Sequence, residues 1–252
     1  MADIDSKRRF SDRVDNYVKY RPDYPAEALD RIAAFGGLGP GSAVADVGAG
    51  TGKLTRLLLE RGWRVWAVEP NANMRAAAEQ TLSGFPGFTP VAASAEETTL
   101  PDASVNLVTV AQAFHWFDRA ACRAEFRRIL KPGGGVALIW NQRGGDSAFM
   151  QGYTQAVRRW CGDHPASHNR VDDDACEAFF GGPYEKTRGP VWSQSFDFEG
   201  LWGRALSNST TPLPGHPRHE PFKAALRELF AQYSEDGAVH YDYQTELVLG
   251  RL

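Results

Sequence analysis

The sequence predicts an α/β fold in which helices cover a mostly parallel β-sheet. Between residues 43 and 141, short apolar runs alternate with segments of helical periodicity. This alternation is typical of right-handed βαβ units, which produce a parallel sheet covered on both faces. The chain has 252 residues, of which 42% are hydrophobic. That length suits one large α/β domain, or one domain with an inserted cap.

The central segment predicts a regular series of elements. Its strands are predicted at Ala43–Val47, Arg64–Glu69, Phe88–Ala93, Val105–Ala111 and Gly135–Trp140. Its helices are predicted at Leu54–Glu60, Asn71–Leu82 and Asp118–Leu130. Asp118 is a residue type that caps helix N-termini. The Lys-Pro-Gly-Gly sequence of residues 131–134 predicts a turn before the fifth strand.

Both ends of the chain predict further elements. Apolar residues recur at helical spacing over residues 10–20, and Arg21-Pro22 ends that helix. A second helix begins at Pro25 and ends at Gly36-Gly37. The remaining elements are predicted as irregular helical structure at 145–185, a strand at Val191–Phe198, a helix at Pro221–Tyr233 and an antiparallel edge strand at His240–Leu252.

Composition argues against several classes of protein. The formal charge is −3, whereas a general nucleic-acid binder usually carries a basic surplus. The cysteines, Cys122, Cys161 and Cys176, are odd in number and widely spaced, which favours neither a disulfide framework nor a metal site. The N-terminus lacks the apolar core of a signal peptide, and no run reaches the ~18 apolar residues of a membrane helix. A cytoplasmic protein without nucleic-acid or membrane partners is therefore expected.

A glycine-rich turn follows the first predicted strand. Asp46 precedes three alternate glycines, Gly48, Gly50 and Gly52, and the second strand ends in Glu69. Glycine lets the backbone approach a ligand closely, and doubly wound folds bind nucleotides at the carboxyl end of the first strand. An acidic residue at the end of the second strand can accept both ribose hydroxyls.

Three interpretations of this turn remain open at this point. A phosphate-binding P-loop needs one more residue between its glycines, and Leu54 stands where that motif requires Ser or Thr. A dinucleotide-binding loop needs a third glycine where this chain has Lys53. The glycines could also serve only to make a tight turn.

The segments VADVGAGTGKLTRLL and VWAVEPNANM resemble the first two motifs of class I S-adenosylmethionine (SAM)-dependent methyltransferases. Asp46, the alternate glycines, Glu69 and Met74 match family positions. LPDASVNLVTVAQAFHWFD resembles the fourth-strand segment of the family, and RILKPGGGVALIWN resembles the fifth. FSDRVDNYVKYRPDYP resembles the lead-in of a small-molecule branch, the methyltransferase type 11 group that includes trans-aconitate-type enzymes.

The resemblance implies a Rossmann-like class I methyltransferase fold with a seven-stranded, mostly parallel sheet and an antiparallel C-terminal strand. It implies one methyltransferase domain, with an N-terminal helical lid at 1–36, a SAM-binding core at 40–141, a helical cap region at 142–190 and C-terminal strands and a helix at 191–252. The cofactor would be SAM, the product S-adenosylhomocysteine, and no metal is expected. A monomer or homodimer is expected.

The resemblance also implies roles for individual residues. Backbone at Gly48 and Gly50 would hold the methionine part of SAM, the carbonyl of Ala111 its ammonium, and Arg21 its carboxylate. The implied cofactor-binding residues are Tyr20, Arg21, Asp46, Gly48, Ala49, Gly50, Gly52, Glu69, Pro70, Met74, Ser94, Ala95, Glu96, Ala111 and Gln112. The predicted substrate pocket comprises Tyr17, His115, Trp116, Asn141 and Arg143.

His115 is the candidate catalytic base, since an ordinary histidine has a pKa of ~6.5. A structural histidine is the alternative, because a carboxylate acceptor loses no proton. Arg143 and Arg204 could each hold a carboxylate in a bidentate fork or lie on the surface. The expected function is methyl transfer to a small molecule, with a carboxylate as one candidate. A macromolecule methyltransferase, a non-catalytic SAM-binding protein and a nicotinamide oxidoreductase remain alternatives.

Overall fold

The computed structural model describes residues 14–162 and 173–252. Its strands are β1 Ala43–Val47, β2 Arg64–Val68, β3 Phe88–Val91, β4 Val105–Ala111, β5 Leu130–Arg143, β6 Tyr184–Phe196 and β7 Val239–Gly250. Its helices are α1 Val14–Tyr20, α2 Ala26–Gly36, α3 Lys53–Glu60, α4 Ala72–Leu82, α5 Arg119–Ile129, α6 Ala148–Cys161, α7 Asp173–Phe180, α8 Phe198–Leu206 and α9 His219–Tyr233. A short 3₁₀ turn spans Phe114–Trp116.

The seven strands form one sheet in the order β3-β2-β1-β4-β5-β7-β6. Neighbouring strands from β1 to β5 pair in parallel, and the C-terminal strand is antiparallel. The predicted fold class is therefore confirmed. In register, Asp46 of β1 lies beside Ala67 of β2 and Thr109 of β4. The loops that follow these three strands consequently begin at the same edge of the sheet.

The described residues form two compact units. The glycine-loop unit comprises the described residues within 23–140, 170–189 and 245–252. The tyrosine unit comprises the described residues within 1–22, 141–169 and 190–244. The single domain expected from the sequence stays a prediction.

Each unit has its own apolar core. In the glycine-loop unit, successive residues of β1 pack into two different apolar clusters. Ala45 and Val47 belong to one cluster, and Val44 belongs to the other. This is the pattern expected of strands buried on both faces. The core of the tyrosine unit is rich in aromatic residues and includes Tyr153, Tyr241, Tyr243, Phe222 and Trp202.

The structure corrects three element predictions. Residues 131–134 form no separate turn but lie within β5, where the pairing with β4 shifts: Val105 pairs with Leu130, and Leu107 pairs with Gly135. β6 begins at Tyr184 rather than Val191, because Gly189 and Pro190 interrupt the alternation that identifies a strand. Helix α8 was not predicted, although Asp197 caps it by accepting a hydrogen bond from the Gly200 amide.

Part of the predicted first helix, residues 10–13, lies outside the described residues, as does the side chain of Tyr17. Among residues 14–162 and 173–252, no helix is both long and apolar enough to cross a membrane. Within the same two ranges, no three His, Cys, Asp or Glu side chains are grouped so as to hold a metal ion.

Candidate active site

The turn between β1 and α3 holds its three glycines in the left-handed region. Their φ angles are 72° at Gly48, 58° at Gly50 and 80° at Gly52. A Cβ at Gly48 would lie 2.6 Å from Ala113 Cβ, and one at Gly52 would lie 2.5 Å from Leu82 Cδ1. A Cβ at Gly50 would meet nothing within 4 Å. Gly48 and Gly52 are thus required by packing, whereas Gly50 borders open space from which a ligand can approach the backbone.

Asp46 supports this turn from within the sheet. Its side chain is 0% exposed, and its carboxylate accepts hydrogen bonds from Thr55 Oγ1 at 2.6 Å and Thr109 Oγ1 at 3.0 Å. Burial raises the pKa of Asp46 to about 6, and the two threonine hydroxyls oppose that rise. Asp46 therefore ties β1 to α3 and β4. Its predicted contact with a cofactor stays a prediction.

Glu69 joins the end of β2 to the glycine turn. Its Oε2 accepts from the Gly50 amide at 2.9 Å, and its Oε1 accepts from the Asn71 amide at 2.8 Å. The amides of Gly48 and Ala49 donate to the carbonyl of Val68. Each carboxylate oxygen can accept more than one hydrogen bond, which makes Glu69 a suitable acceptor for hydroxyl donors. The predicted ribose ligand is therefore fixed beside Gly50.

The residues after Glu69 begin helix α4. The Asn71 side chain accepts from the amides of Asn73 and Met74 at 3.0 and 3.1 Å, which caps the helix. Met74 is buried and Pro70 is exposed. Their predicted contacts with the cofactor stay predictions.

The Ser94–Glu96 segment lies after β3, as the sequence predicts for an adenine-binding segment. Ser94 is half-buried and Ala95 is buried. Glu96 Oε1 accepts from the amide of Asp118 at 3.1 Å, and Asp118 in turn caps α5 through the amides of Ala120 and Ala121. Glu96 thus connects this segment to the start of α5. The adenine contacts themselves stay predictions.

The loop after β4 approaches the glycine turn. Gln112 has a φ of 59°, a left-handed conformation that is strained for a residue other than glycine. Its amide donates to the carbonyl of Ile139 at 3.0 Å, which holds the strained turn in place. Gln112 directly precedes Ala113, whose Cβ faces Gly48. The structure therefore places the loop after β4 against the glycine turn, and the predicted methionine contacts of Gly48, Gly50 and Ala111 stay predictions.

His115 lies in the 3₁₀ turn after this loop, and its ring is 4.6 Å from that of Trp116. Burial, together with the charge of Arg119, lowers the pKa of His115 to about 4. Its buried Nδ1 has no hydrogen-bond partner among the described residues. The pKa of His115 therefore lies below the ordinary value of ~6.5, which makes the ring a weaker base. Its predicted role as the catalytic base stays a prediction. Trp116 is 38% exposed, which leaves its predicted pocket contact available.

The N-terminal residues that were predicted to bind the cofactor, Tyr20 and Arg21, belong to the tyrosine unit. Tyr20 packs its ring on Gly203 of α8. Arg21 donates from Nε to Ser207 Oγ, and from Nη2 to the Ser207 carbonyl and Asn208 Oδ1, each at 3.0 Å. These contacts fix α1 to the end of α8. The predicted pairing of Arg21 with a cofactor carboxylate stays a prediction.

Two further arginines of this unit were candidates from the sequence. Arg204 is only 5% exposed, so its interpretation as a surface residue is wrong. Its Nε donates to Tyr243 Oη at 2.7 Å, and its guanidinium lies over the ring of Tyr241. Arg143 is half-buried and its Nη1 has no hydrogen-bond partner within residues 14–162 and 173–252. Asn141, also predicted to line the pocket, is half-buried at the end of β5.

The aromatic neighbours of Arg204 were missed by sequence reasoning. Tyr153 lies on α6, whereas Tyr241 and Tyr243 lie on β7. All three are buried in one cluster with Arg204 in the tyrosine unit. The alternation of Tyr241 and Tyr243 predicts that they share a face of a strand, but nothing in the sequence pairs that face with Arg204 or Tyr153.

Comparison with known proteins finds relatives of the segment that holds the glycine turn. Residues 45–138 match the methyltransferase domain family. An uncharacterized methyltransferase of Mycobacterium tuberculosis is 43% identical over 145 residues, covering 55% of this chain and 54% of that protein. An uncharacterized methyltransferase-like protein of Schizosaccharomyces pombe is 32% identical over 167 residues, covering 66% and 64%. The chain thus matches about half the length of the first of these relatives.

Solved structures share the fold over a longer span. A proposed type II methyltransferase of Anaeromyxobacter dehalogenans has a TM-score of 0.66 and 25% identity, covering 92% of this chain and 98% of that one. A proposed methyltransferase from an antibiotic biosynthesis pathway of Anabaena variabilis has a TM-score of 0.65 and 21% identity, covering 92% and 99%, and shows the fold. The matched domain, the sheet order and the glycine turn support a class I SAM-dependent methyltransferase.

Proposed function

We propose that this chain binds SAM at the glycine turn and transfers its methyl group to a small-molecule acceptor by in-line displacement. The observation that carries the proposal is the open space at Gly50 beside the carboxylate of Glu69. A side chain at Gly50 would fill this space, and the neighbouring carboxylate supplies acceptors for two hydroxyls. Both features fit a nucleoside that approaches the end of β1.

The residues present fit SAM along the whole edge of the sheet. Backbone at Gly48 and Gly50 would hold its methionine part, with the Ala111 carbonyl at the ammonium. Glu69 would accept from the ribose hydroxyls, and the Ser94–Glu96 segment would contact adenine. When bound, SAM supplies an electrophilic methyl group on a sulfonium, while the protein positions the acceptor and excludes water.

The environment of His115 fits an acceptor that loses no proton. A carboxylate presents a lone pair for direct attack and needs no general base. An imidazole with a pKa of about 4 is neutral at pH 7 and is a weak base. We therefore propose that His115 lines the pocket as an uncharged hydrogen-bonding group. This role is compatible with a carboxylate O-methyltransferase.

Methyl transfer tests the proposal directly. The chain is incubated with SAM carrying a labelled methyl group and with panels of small carboxylic acids, phenols and amines. We expect label in one of the small-molecule classes, with His115→Gln retaining more than about a tenth of the rate on a carboxylate. Label in protein or RNA substrates alone would favour a macromolecule methyltransferase. SAM binding without any transfer would favour a non-catalytic SAM-binding protein.

Calorimetric titration with SAM, S-adenosylhomocysteine and NAD separates the cofactor alternatives. We expect SAM and S-adenosylhomocysteine to bind and NAD not to bind, because Lys53 occupies the position of the third glycine that a dinucleotide loop requires. Binding of NAD without binding of SAM would overturn the proposed function.

A further inference from the structure

Arg204 is a buried cation in the core of the tyrosine unit. Its neighbours there are aromatic: the guanidinium lies 5.2 Å from the ring centre of Tyr241 and 5.7 Å from that of Tyr243. Its hydrogen bonds go to the neutral hydroxyls of Tyr243 and Ser207. Within residues 14–162 and 173–252, no carboxylate forms an ion pair with Arg204. A buried charge without an opposite charge is costly, so this arrangement requires an explanation.

Unpartnered polar groups surround the same guanidinium. Tyr153 and Tyr241 are fully buried, and neither phenolic oxygen has a hydrogen-bond partner in the described part of the chain. The rings of these two tyrosines are 5.0 Å apart in an edge-to-face arrangement. Native structures rarely leave buried hydroxyls unsatisfied, and such groups often mark a ligand or water position. Two donors and one cation therefore lie together without an acceptor.

Arg143 extends this positive region. Burial, with nearby Tyr241, raises the pKa of Tyr153, and the charges of Arg204 and Arg143 both oppose the rise. Both guanidinium groups therefore lie within electrostatic reach of one phenol. Arg143 also has a buried Nη1 without a partner among the described residues. Arg143, Tyr153, Arg204 and Tyr241 all belong to the tyrosine unit.

A cleft gives access to Arg143. It has a volume of about 240 Å³, and its lining includes Arg143, Met150, Thr154 and Arg158. A cleft of that size accommodates a small organic acid rather than a large ligand. Asp242 faces Gly145, one of the residues that line the cleft, and accepts from Ser193 Oγ at 2.6 Å. The two arginines in the lining are Arg143 and Arg158, whereas Arg204 lies in the buried cluster with Tyr153.

We propose that Arg143 and Arg204, with the hydroxyls of Tyr153 and Tyr241, form a subsite that binds a carboxylate group of a small organic acid. The carboxylate would supply the opposite charge that Arg204 lacks and the acceptors that the two phenols lack. The identity of this acid as the methyl acceptor rests on the proposed function. Binding of the carboxylate itself does not require SAM.

The test measures thermal unfolding of the full chain without SAM. Succinate, inorganic phosphate and chloride are titrated at equal ionic strength into the wild type and into Arg143→Met, Arg204→Met and Arg159→Met. Arg159 is the matched control because it lies on α6, is exposed and stacks on Trp160. At a hundredfold excess of succinate over its dissociation constant, the midpoint temperature should rise by about 5 °C in the wild type and in Arg159→Met.

Arg143→Met and Arg204→Met should lose that rise. Without succinate, Arg204→Met should unfold at the same temperature as the wild type or higher, because an apolar side chain removes an unpaired buried charge. A structural arginine would instead lower the midpoint by several degrees, which would contradict the proposal. A succinate effect no larger than that of chloride, or one kept by both variants, would overturn it. A saturable rise with phosphate alone would overturn the carboxylate assignment.

The same samples separate this proposal from the proposed function. SAM binding is measured on each variant by calorimetry. Loss of the succinate effect with intact SAM binding would overturn the carboxylate subsite alone. A saturable succinate effect in a chain that fails to bind SAM would support the subsite and overturn the proposed function.

Discussion

The two units of the molecule differ in the partners of their buried charged groups. In the glycine-loop unit, the buried carboxylates all accept from groups of the same unit: Asp46 from Thr55 and Thr109, Glu69 from Gly50 and Asn71, Glu125 from Thr98 and Arg128, and Glu246 from Arg188. In the tyrosine unit, Arg204 is buried without an opposite charge among the described residues. Each unit also holds buried neutral atoms without a partner among the described residues, such as His115 Nδ1 in the first and Tyr241 Oη in the second. The difference is therefore one of charge, because each buried carboxylate of the first unit accepts from at least one donor of its own unit, whereas the buried guanidinium of Arg204 lies beside no described carboxylate.

This difference bears on how each unit could bind a ligand. The hydrogen bonds of Asp46 and Glu69 fix the glycine turn before any ligand arrives, and such preorganisation favours binding. The unpaired Arg204 and the unpartnered phenols of Tyr153 and Tyr241 cost stability in the absence of a ligand. A site of this kind lowers the stability of the ligand-free chain because its polar groups are arranged for a ligand. Such a loss of stability is common at functional sites.

His115 provides the largest expected effect on stability. Its pKa is about 4 in the folded chain and ~6.5 when unfolded, so the unfolded chain takes up the proton first as the pH falls. The free energy of unfolding should therefore fall between pH 6.5 and pH 4, by at most about 3 kcal/mol from this group. Denaturant titrations should show that His115→Gln lacks this part of the loss. Identical pH dependence in both proteins would contradict the buried, neutral ring.

Asp46 should change the free energy of unfolding with pH in the direction opposite to that of His115. Its folded pKa of about 6 lies above the ordinary value of 3.8, so the folded chain takes up this proton first. Stability from Asp46 should rise as the pH falls from 6 towards 4 and be lost as the pH rises through 6, by at most about 3 kcal/mol. Asp46→Asn should lack this contribution in the same titrations. An Asn variant with an unchanged profile would mean that Asp46 is not buried as described.

A matched pair of variants tests the comparison between the units. Thr109→Val removes one hydroxyl donor to Asp46 and leaves a buried carboxylate oxygen without it, which should cost about 2 kcal/mol. Tyr241→Phe removes a hydroxyl that has no partner in the described residues, so stability should change by less than about 0.5 kcal/mol. Chemical denaturation at pH 7 measures both. Equal losses would show that the two units do not differ in this way.

The glycine-loop unit was predictable because its functional residues are close in sequence. Asp46, the three glycines and Glu69 lie in one β-turn-α-β segment, and strand periodicity alone places them at one edge of a sheet. What the sequence could not show is the burial that lowers the pKa of His115. That shift depends on packing around the 3₁₀ turn and on Arg119, which cannot be derived from residue type.

The tyrosine unit was predictable only in part, because its cluster is assembled from distant segments. Tyr153, Arg204 and Tyr241 come from α6, α8 and β7. Helix α8 was missed because Gly200 and Gly203 disrupt its apolar pattern, although Gly203 gives Tyr20 room to pack. Without α8, the sequence gives no reason to bury Arg204.

The central claim is that SAM binds at the open face of Gly50, and titration calorimetry on two glycine variants tests it most directly. Gly50→Ala and Gly37→Ala impose similar left-handed strain, with φ angles of 58° and 57°, and neither Cβ would meet another atom within 4 Å. Gly37 ends α2 and precedes the start of β1, whereas Gly50 follows the end of β1. We predict that Gly37→Ala binds SAM like the wild type and that Gly50→Ala binds about 100-fold more weakly, a loss of about 2.7 kcal/mol. Equal SAM affinity in the two variants, or no binding by the wild type, would contradict the account.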